Sequence, residues 1–397
     1  MSRRVVLETH AYNAEKTVER TILSVLAQTY ENWEWHIYEN GATDKTGEII
    51  KKYAEQDSRI RHYSNRSNNP LNTYLFLASH ANFKCYSDDD CFTYICADDT
   101  FEPEYMQEML AFLSEHYLDV GSCISKYTDA VTGELKNKFM LQENIFCRTP
   151  EDFSNNFQTL YPFYRELWGH MITFKVLRCI SYAVYAQYLN ARAYSFLALN
   201  LEILTKANSV GILAKPLHTY YVSSNSLAHR AVLKISRQAH FSSLATHLKS
   251  FLIKKCGCIT KSNHVFVLSR TLKSMNDYLP ILFKAPDEVA NLLFLHKMLS
   301  FGSTLEAFNN AEVSRELKEE FCKRAYNWLK EVLINKKLEK PIALPDRAGE
   351  IEYLASGGVD SLGYKLINPQ NVSAPTVISY ALDIHNFIAK HCFKVLS

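Results

Sequence analysis

Thr93-Tyr94-Ile95-Cys96-Ala97-Asp98-Asp99-Thr100 reads as an apolar strand that ends in two adjacent carboxylates, with Pro103 placed to open a helix just beyond. Hard oxygen ligands at a strand end suit Mg2+ or Mn2+, and such an ion bridges a diphosphate and neutralises its departure. An Asp pair alone favours a polar turn that caps a helix. The flanking sequence decides between the two. Arg4 to Thr9 is a short apolar run, and from Ala14 to Tyr30 the residues Val18, Ile22, Val25 and Leu26 share one helical face. Trp35 to Tyr38 reads as a second strand, Gly41-Ala42-Thr43-Asp44 as a turn and helix start, and Ile49, Ile50 and Tyr53 as the buried helix face. With Ile60 to Tyr63 as a further strand, the alternation predicts a mostly parallel sheet with helices on both faces. Ligands of such sheets bind beyond the carboxyl ends of the strands, where Asp98 and Asp99 fall.

Downstream, Pro103 to His116 is amphipathic, with Met106, Met109, Leu110 and Leu113 together, and Val120 to Ser125 is strand-like. The α/β domain is expected to cover residues 1–226. A mainly α-helical domain over 227–397 follows, with helical periodicity through Asp287 to Leu299 and Val313 to Ile334. A Pro- and Gly-containing stretch, Pro341 to Gly363, precedes an amphipathic tail from Val377 to Leu396.

A chain of 397 residues with 47% hydrophobic residues can bury a sizeable core. A net charge of +2 excludes a globally basic nucleic-acid binder and leaves electrostatic partners to local patches. The ten cysteines show no paired metal-ligand spacing and no signal peptide precedes the first strand, so reduced thiols and a cytoplasmic location are expected. No run reaches the ~18 apolar residues of a membrane span, so any membrane contact is expected to be peripheral, at the inner face.

Three motifs stand in order: Ala11-Tyr12-Asn13-Ala14-Glu15, then Ile22-Leu23-Ser24-Val25-Leu26-Ala27-Gln28-Thr29-Tyr30, then Glu39-Asn40-Gly41-Ala42-Thr43-Asp44-Lys45-Thr46. Followed by Asp98-Asp99, they resemble the opening of family-2 glycosyltransferases of the GT-A fold, of the bacterial surface-polysaccharide type. Further similarity lies in Asn72 to Ala78, Leu167-Trp168-Gly169-His170, Asn200-Leu201-Glu202, Lys215 to Tyr221 and Ser224-Asn225-Ser226, so it covers about residues 4 to 226.

The resemblance implies a Rossmann-like GT-A domain and a nucleoside-diphosphate sugar donor, with UDP the expected nucleotide. It implies Mn2+ or Mg2+ on Asp98 and Asp99, with His229 as a candidate third ligand. Around the donor it places His10, Ala11, Tyr12, Asn13, Glu15, Glu39, Asn40, Gly41, Arg66, Asn72, Ala97 and Asp98. The acceptor is expected to be a saccharide or lipid-linked glycan, and inversion is the family default.

The departures are specific. Glu39 and Asn40 stand where many members have two aspartates, His10 where a small residue or proline is usual, and Leu71 at a position often held by arginine, which leaves Arg66 for the phosphates. The Glu-Asp pair whose carboxylate serves as base aligns with Ser195 and Phe196, and neither can take a proton. Glu202, Glu166 and His170 are the candidates in its place. The rival reading is a catalytically silent nucleotide-sugar-binding or scaffold protein. A sugar-1-phosphate nucleotidyltransferase is disfavoured because no Gly-rich, Arg-containing loop follows the first strand.

Two clusters remain. Ser87-Asp88-Asp89-Asp90 imitates a metal motif but is read as a solvated loop, since it sits on no strand end. From Ile203 to Asn276 there is no Asp or Glu, yet there are eleven Lys and Arg residues. Either the acidic segment Glu312 to Glu320 balances this strip, or the strip faces an anionic membrane or lipid-linked diphosphate, with Phe251, Leu252 and Ile253 as a shallow insertion.

Overall fold

Alternation along two strands divides the first part of the chain into an apolar and a polar sheet face. In β1 (Val5–Ala11) and β2 (Trp33–Asn40), Val5, Leu7, Ala11, Trp33, Trp35 and Ile37 are buried in one cluster. Helix α1 (Val18–Leu26) adds Val18, Ile22 and Val25 to this cluster, and α2 (Thr46–Gln56) adds Ile50. The intervening positions are Glu8 and His10 in β1 and Glu34, His36, Tyr38 and Asn40 in β2, as the two-residue period of a strand requires. The computed structural model describes residues 2–68, 85–136, 140–180, 195–222, 237–283, 288–334 and 374–391.

The remaining strands are β3 (Ile60–Asn65), β4 (Cys91–Tyr94), β5 (Thr100–Phe101), β6 (Val120–Asp129), β7 (Ile145–Cys147), β8 (His170–Thr173) and β9 (Val210–Val222). They join in the order β3-β2-β1-β4-β8-β6-β9-β5, with β7 paired to β9. Strands β1 to β4, β6 and β9 run one way and β5, β7 and β8 the other. This is a mixed α/β sheet of mostly parallel strands, as expected. Helix α3 (Tyr105–Glu115) packs on β6 and β9, and α4 (Pro150–Phe163) on β6 and β7. A short α5 (Phe174–Leu177) and α6 (Ser195–Lys206) follow.

The central three strands are cross-tied by side chains. Trp35 Nε1 donates to Thr9 Oγ1, which donates to the Ile95 carbonyl, at 3.1 and 2.7 Å. The fourth strand ends earlier than its apolar sequence suggests. Ile95 N still bonds to Glu8 O, but Asp99 N then donates to Cys96 O and closes a turn, so Cys96 belongs to the turn. The turns after β1, β2 and β4 therefore lie at neighbouring carboxyl ends of parallel strands.

The chain divides into two compact units. One comprises Met1–Tyr185, Phe196–His229 and Lys254–Cys256, and the other Ala186–Ser195, Arg230–Ile253 and Gly257–Ser397. The second unit is helical, built from α7 (Arg237–Cys256) as far as Ile253, α8 (Lys261–Phe283), α9 (Glu288–Ser300), α10 (Gly302–Asn309), α11 (Arg315–Ile334) and α12 (Ala374–His391). Its core includes Leu272, Leu279, Leu295, Phe321, Leu329 and Ile384. Within it the basic strip meets acids: Lys249 pairs with Glu306 at 2.7 Å, Lys273 with Asp277 at 3.3 Å, and Lys261 with Glu312. The expected shallow insertion is corrected, because Phe251 and Leu252 are buried in packing and only Ile253 is exposed, at 57%. No described helix is long and apolar enough to cross a membrane. Pro341 to Gly363, and the strip's Arg230 and Lys234, lie outside the described residues.

Gly41 is fixed by geometry. Its φ is +66°, and a Cβ there would stand 2.9 Å from the Arg66 carbonyl oxygen. Left-handed backbone costs an L-residue about 1–2 kcal/mol before any clash. Gly41→Ala should therefore lower unfolding free energy by at least about 1 kcal/mol in urea melts. A loss below about 0.5 kcal/mol, the range of ordinary surface changes, would show that the turn re-forms freely.

Candidate active site

The carboxylate turn after β4 is held by its backbone. Thr21 Oγ1 donates to Asp99 O at 2.8 Å and Arg20 Nη2 to Asp98 O at 2.6 Å, while the Arg20 guanidinium lies 3.5 Å over the Tyr221 ring. Asp99 is fully buried. Its Oδ1 accepts from Tyr221 N at 3.3 Å, and its Oδ2 has no hydrogen-bond partner among the described residues. His218 Nε2, also fully buried, stands 3.4 Å from that oxygen without hydrogen-bond alignment, and its Nδ1 bonds Ser125 Oγ at 2.9 Å. Burial and then the Asp99 charge push the Asp98 carboxyl up to about 6. Cys96 completes the group, one donor atom from each of Cys96, Asp98 and Asp99 lying within 4.8 Å of the others. Buried charge demands a partner, and a divalent cation satisfies two adjacent carboxylates where a lone histidine does not. His218 went unnoticed in sequence. The available signal was its two-residue spacing from Tyr220 in β9, which brings both toward the same carboxylates.

The loops after β1 and β2 are stitched together. Asn13, at φ +49°, accepts from Thr43 N at 2.9 Å through Oδ1. Ala14 N donates to Thr46 Oγ1 at 2.7 Å, Glu15 N to Asp44 Oδ2 at 3.1 Å, and Lys45 N to Glu15 Oε2 at 3.2 Å. Tyr12 and Arg66 are exposed beside this frame, whereas Ala11 and Ala97 are buried. The Glu39 carboxylate is spent within the turn, accepting from Ala42 N and, at 2.7 Å, from Ser64 Oγ.

Asn40 is likewise engaged. Its Oδ1 accepts from Asn65 Nδ2 at 2.8 Å and its Nδ2 lies 3.2 Å from His10 Nδ1. The other His10 nitrogen bonds Glu8 Oε1 at 2.5 Å, and the ring stacks on Tyr38 at 5.0 Å. His10 is therefore an interior strand residue with both nitrogens occupied. Burial holds its imidazole down at about 3 and pushes the Glu8 carboxyl well above the usual range. Asn72 and His229 lie outside the described residues.

The three base candidates separate clearly. Glu166 follows α4, and its backbone oxygen accepts from His170 Nε2 at 2.7 Å and from Asn200 Nδ2 at 2.5 Å. Burial raises its carboxyl, opposed by Arg165 at 3.3 Å. Its charge is felt at Cys96 and Tyr220, which Asp98 and Asp99 also perturb. His170 is buried against Tyr164, held neutral by burial at about 4, and clamps the Glu166 backbone. Glu202 lies on α6 opposite Lys206, at 3.8 Å. The carboxylates of the aspartate run are engaged by neighbours. Asp88 pairs with Arg178, Asp89 lies 3.9 Å from Arg3, and Asp90 accepts from Arg4 N and Ser87 N at 2.7 Å each.

A family model described as glycosyl transferase family 2 matches residues 9–178, which run from the end of β1 through β8 and include the Asp98-Asp99 turn. Those residues are thus similar to family 2 glycosyl transferases. The chain is 35% identical over 115 residues to EpsE of Bacillus subtilis, assigned as a glycosyltransferase, covering 28% of this chain and 39% of EpsE. It is 40% identical over 52 residues to TuaG of the same organism, assigned to teichuronic acid biosynthesis, covering 13% of this chain and 21% of TuaG. The chain thus spans well under two thirds of either relative. Among solved structures it is similar to Staphylococcus aureus TarS 1-349 in complex with UDP-GlcNAc, with TM-score 0.46 and 16% identity over 83% of this chain and 82% of that one.

In the sheet itself the buried Glu8–His10 pair makes stability pH-dependent. An unfolded chain protonates His10 near its ordinary 6.5, while the folded chain resists until about 3. Below 6.5 the unfolded state therefore binds the extra proton, and this contribution falls as pH falls, by at most about 1.4 kcal/mol per pH unit. Glu8, with its raised carboxyl, acts with the opposite sign, costing stability as pH rises above its ordinary 4.5. His10→Gln should flatten the loss of stability between pH 6.5 and 5 in urea melts. An unchanged slope would mean that the folded ring takes up a proton.

Proposed function

We propose that the chain transfers a sugar from a nucleoside diphosphate, UDP being the expected nucleotide, to a saccharide or lipid-linked glycan acceptor in bacterial surface-glycan assembly. The observation that carries this reading is the spare Asp99 Oδ2, buried beside Asp98 at the carboxyl end of a parallel strand. Asp98 and Asp99 hold Mn2+ or Mg2+, and His218 braces the inner oxygen. When bound, the cation offsets the charge of the departing diphosphate. The stitched loops carrying Tyr12, Asn13 and Gly41 enclose the nucleoside, with Arg66 at their edge. TuaG, assigned to teichuronic acid biosynthesis, supports the surface-glycan context.

Glu166 takes the place of the missing base. The acceptor oxygen bonds to the anomeric carbon as the bond to the diphosphate breaks, and the hydroxyl proton passes to the Glu166 carboxylate, giving inversion. A carboxyl raised by burial is a better base than an exposed one. Its presence favours turnover over a silent donor-binding protein. We place the enzyme in the cytoplasm at the inner membrane face, where contact with anionic lipid falls to exposed Lys254 and Ile253, since Lys249, Lys261 and Lys273 have acidic partners.

Asp99→Asn should abolish Mn2+-dependent UDP binding in calorimetry, whereas replacing Asp88, Asp89 and Asp90 together with Asn should leave it intact. Retained binding in the first variant, or loss in the second, would place the metal elsewhere. Glu166→Gln should lower turnover by about 10²- to 10⁴-fold with donor affinity preserved, the usual contribution of a positioned base. Glu202→Gln should turn over at the wild-type rate. The reverse pattern would move the base to α6.

A further inference from the structure

The donor set of the cation site is not purely oxygen. The Asp99 N to Cys96 O hydrogen bond, at 3.2 Å, folds Cys96 back toward the carboxylates. Donor atoms of Cys96, Asp98 and Asp99 then lie within 4.8 Å of one another, about twice a metal–ligand bond of ~2.0–2.4 Å, so one ion can reach all three. A second observation points to a ligand there. Asp99 Oδ2 and His218 Nε2 are both fully buried and without a hydrogen-bond partner among the described residues.

We infer that Cys96 Sγ is a third ligand of the cation at Asp98 and Asp99, and that it biases the site toward sulfur-tolerant ions of the Zn2+ or Co2+ class over Mg2+. The inference rests on the cation reading of the site. Mg2+ requires a near-octahedral shell of hard oxygens, whereas a soft thiolate is well matched to Zn2+ and Co2+. On binding, the Cys96 thiol loses its proton to solvent and the sulfur lone pair forms the bond to the ion.

The test uses the full chain with the exposed Cys85, Cys179 and Cys258 replaced by Ser in every protein compared. Co2+ is titrated in the presence of UDP and the near-ultraviolet thiolate-to-cobalt charge-transfer band is recorded, with Mg2+ affinity measured by competition. The wild-type Cys96 protein should show the band. Cys96→Ser should lose it and bind Co2+ about tenfold or more weakly, with Mg2+ affinity changed by less than about twofold. Circular dichroism reports folding, and Cys96→Asp, which restores a hard ligand, should shift preference toward Mg2+. Co2+ binding that Asp99→Asn abolishes but that Cys96→Ser leaves unchanged in affinity and spectrum would overturn the thiol's role while sparing the cation site. Failure of the wild-type Cys96 protein to take up any cation with UDP would overturn both.

Discussion

A carboxylate buried with one oxygen unspent is the constraint on which the site turns. Thr21, Arg20 and Tyr221 reach it from α1 and β9, yet two of those three bonds go to backbone carbonyls and the third to Oδ1. The frame thus fixes where Asp99 points without neutralising it. An unpaired buried carboxylate costs several kcal/mol, and a full hydrogen-bond shell from the same neighbours would have relieved that cost. On the reading proposed here, neighbours that immobilise the turn and leave Oδ2 without a hydrogen bond among the described residues preorganise it for a cation, with stability surrendered locally for binding. The upward displacement of Asp98 comes first from burial and then from the neighbouring Asp99 charge.

Much of this was legible in the residues. The alternation of apolar runs placed β1, β2, β3 and the helices between them, since burial of one face enforces the period in sequence itself. The end of β4 was not legible. Ile95 and Cys96 are as apolar as the strand before them, and only the turn hydrogen bond to Cys96 O reveals that pairing has stopped. His218 escaped for a different reason: its relation to Asp99 spans more than a hundred residues and is made by pairing of β9 with β6 and β5. The basic strip was only partly legible: the sequence offered Glu312 as a balancing acid, whereas Glu306, which pairs with Lys249, was given by no local pattern.

The polar sheet face carries its own logic. Glu8, His10, Asn40 and Asn65 form a chain of hydrogen bonds from the interior to the carboxyl ends of β2 and β3. Each member's position is set by the next, so the amide of Asn40 is oriented before any ligand arrives. Glu39 is similarly consumed by its own turn. Glu39 and Asn40, which the resemblance places around the donor, are therefore mainly supports, and on the reading proposed here contact with a nucleoside passes to what they support: the Asn13 and Gly41 turns and the exposed ring of Tyr12.

The missing base is best understood through the same distinction between contact and support. In the position where the resemblance leads one to expect a carboxylate on α6, the chain has Ser195 and Phe196. A few residues on, Asn200 of α6 donates to the backbone carbonyls of Tyr164 and Glu166, at 3.0 and 2.5 Å. His170 donates to the latter from the other side, so the loop bearing Glu166 is fixed at both ends by buried donors. On the reading proposed here, α6 has not lost its part in proton transfer. It has exchanged a reacting carboxylate for an amide that holds one, and the acid now reaches the acceptor from the loop between α4 and β8.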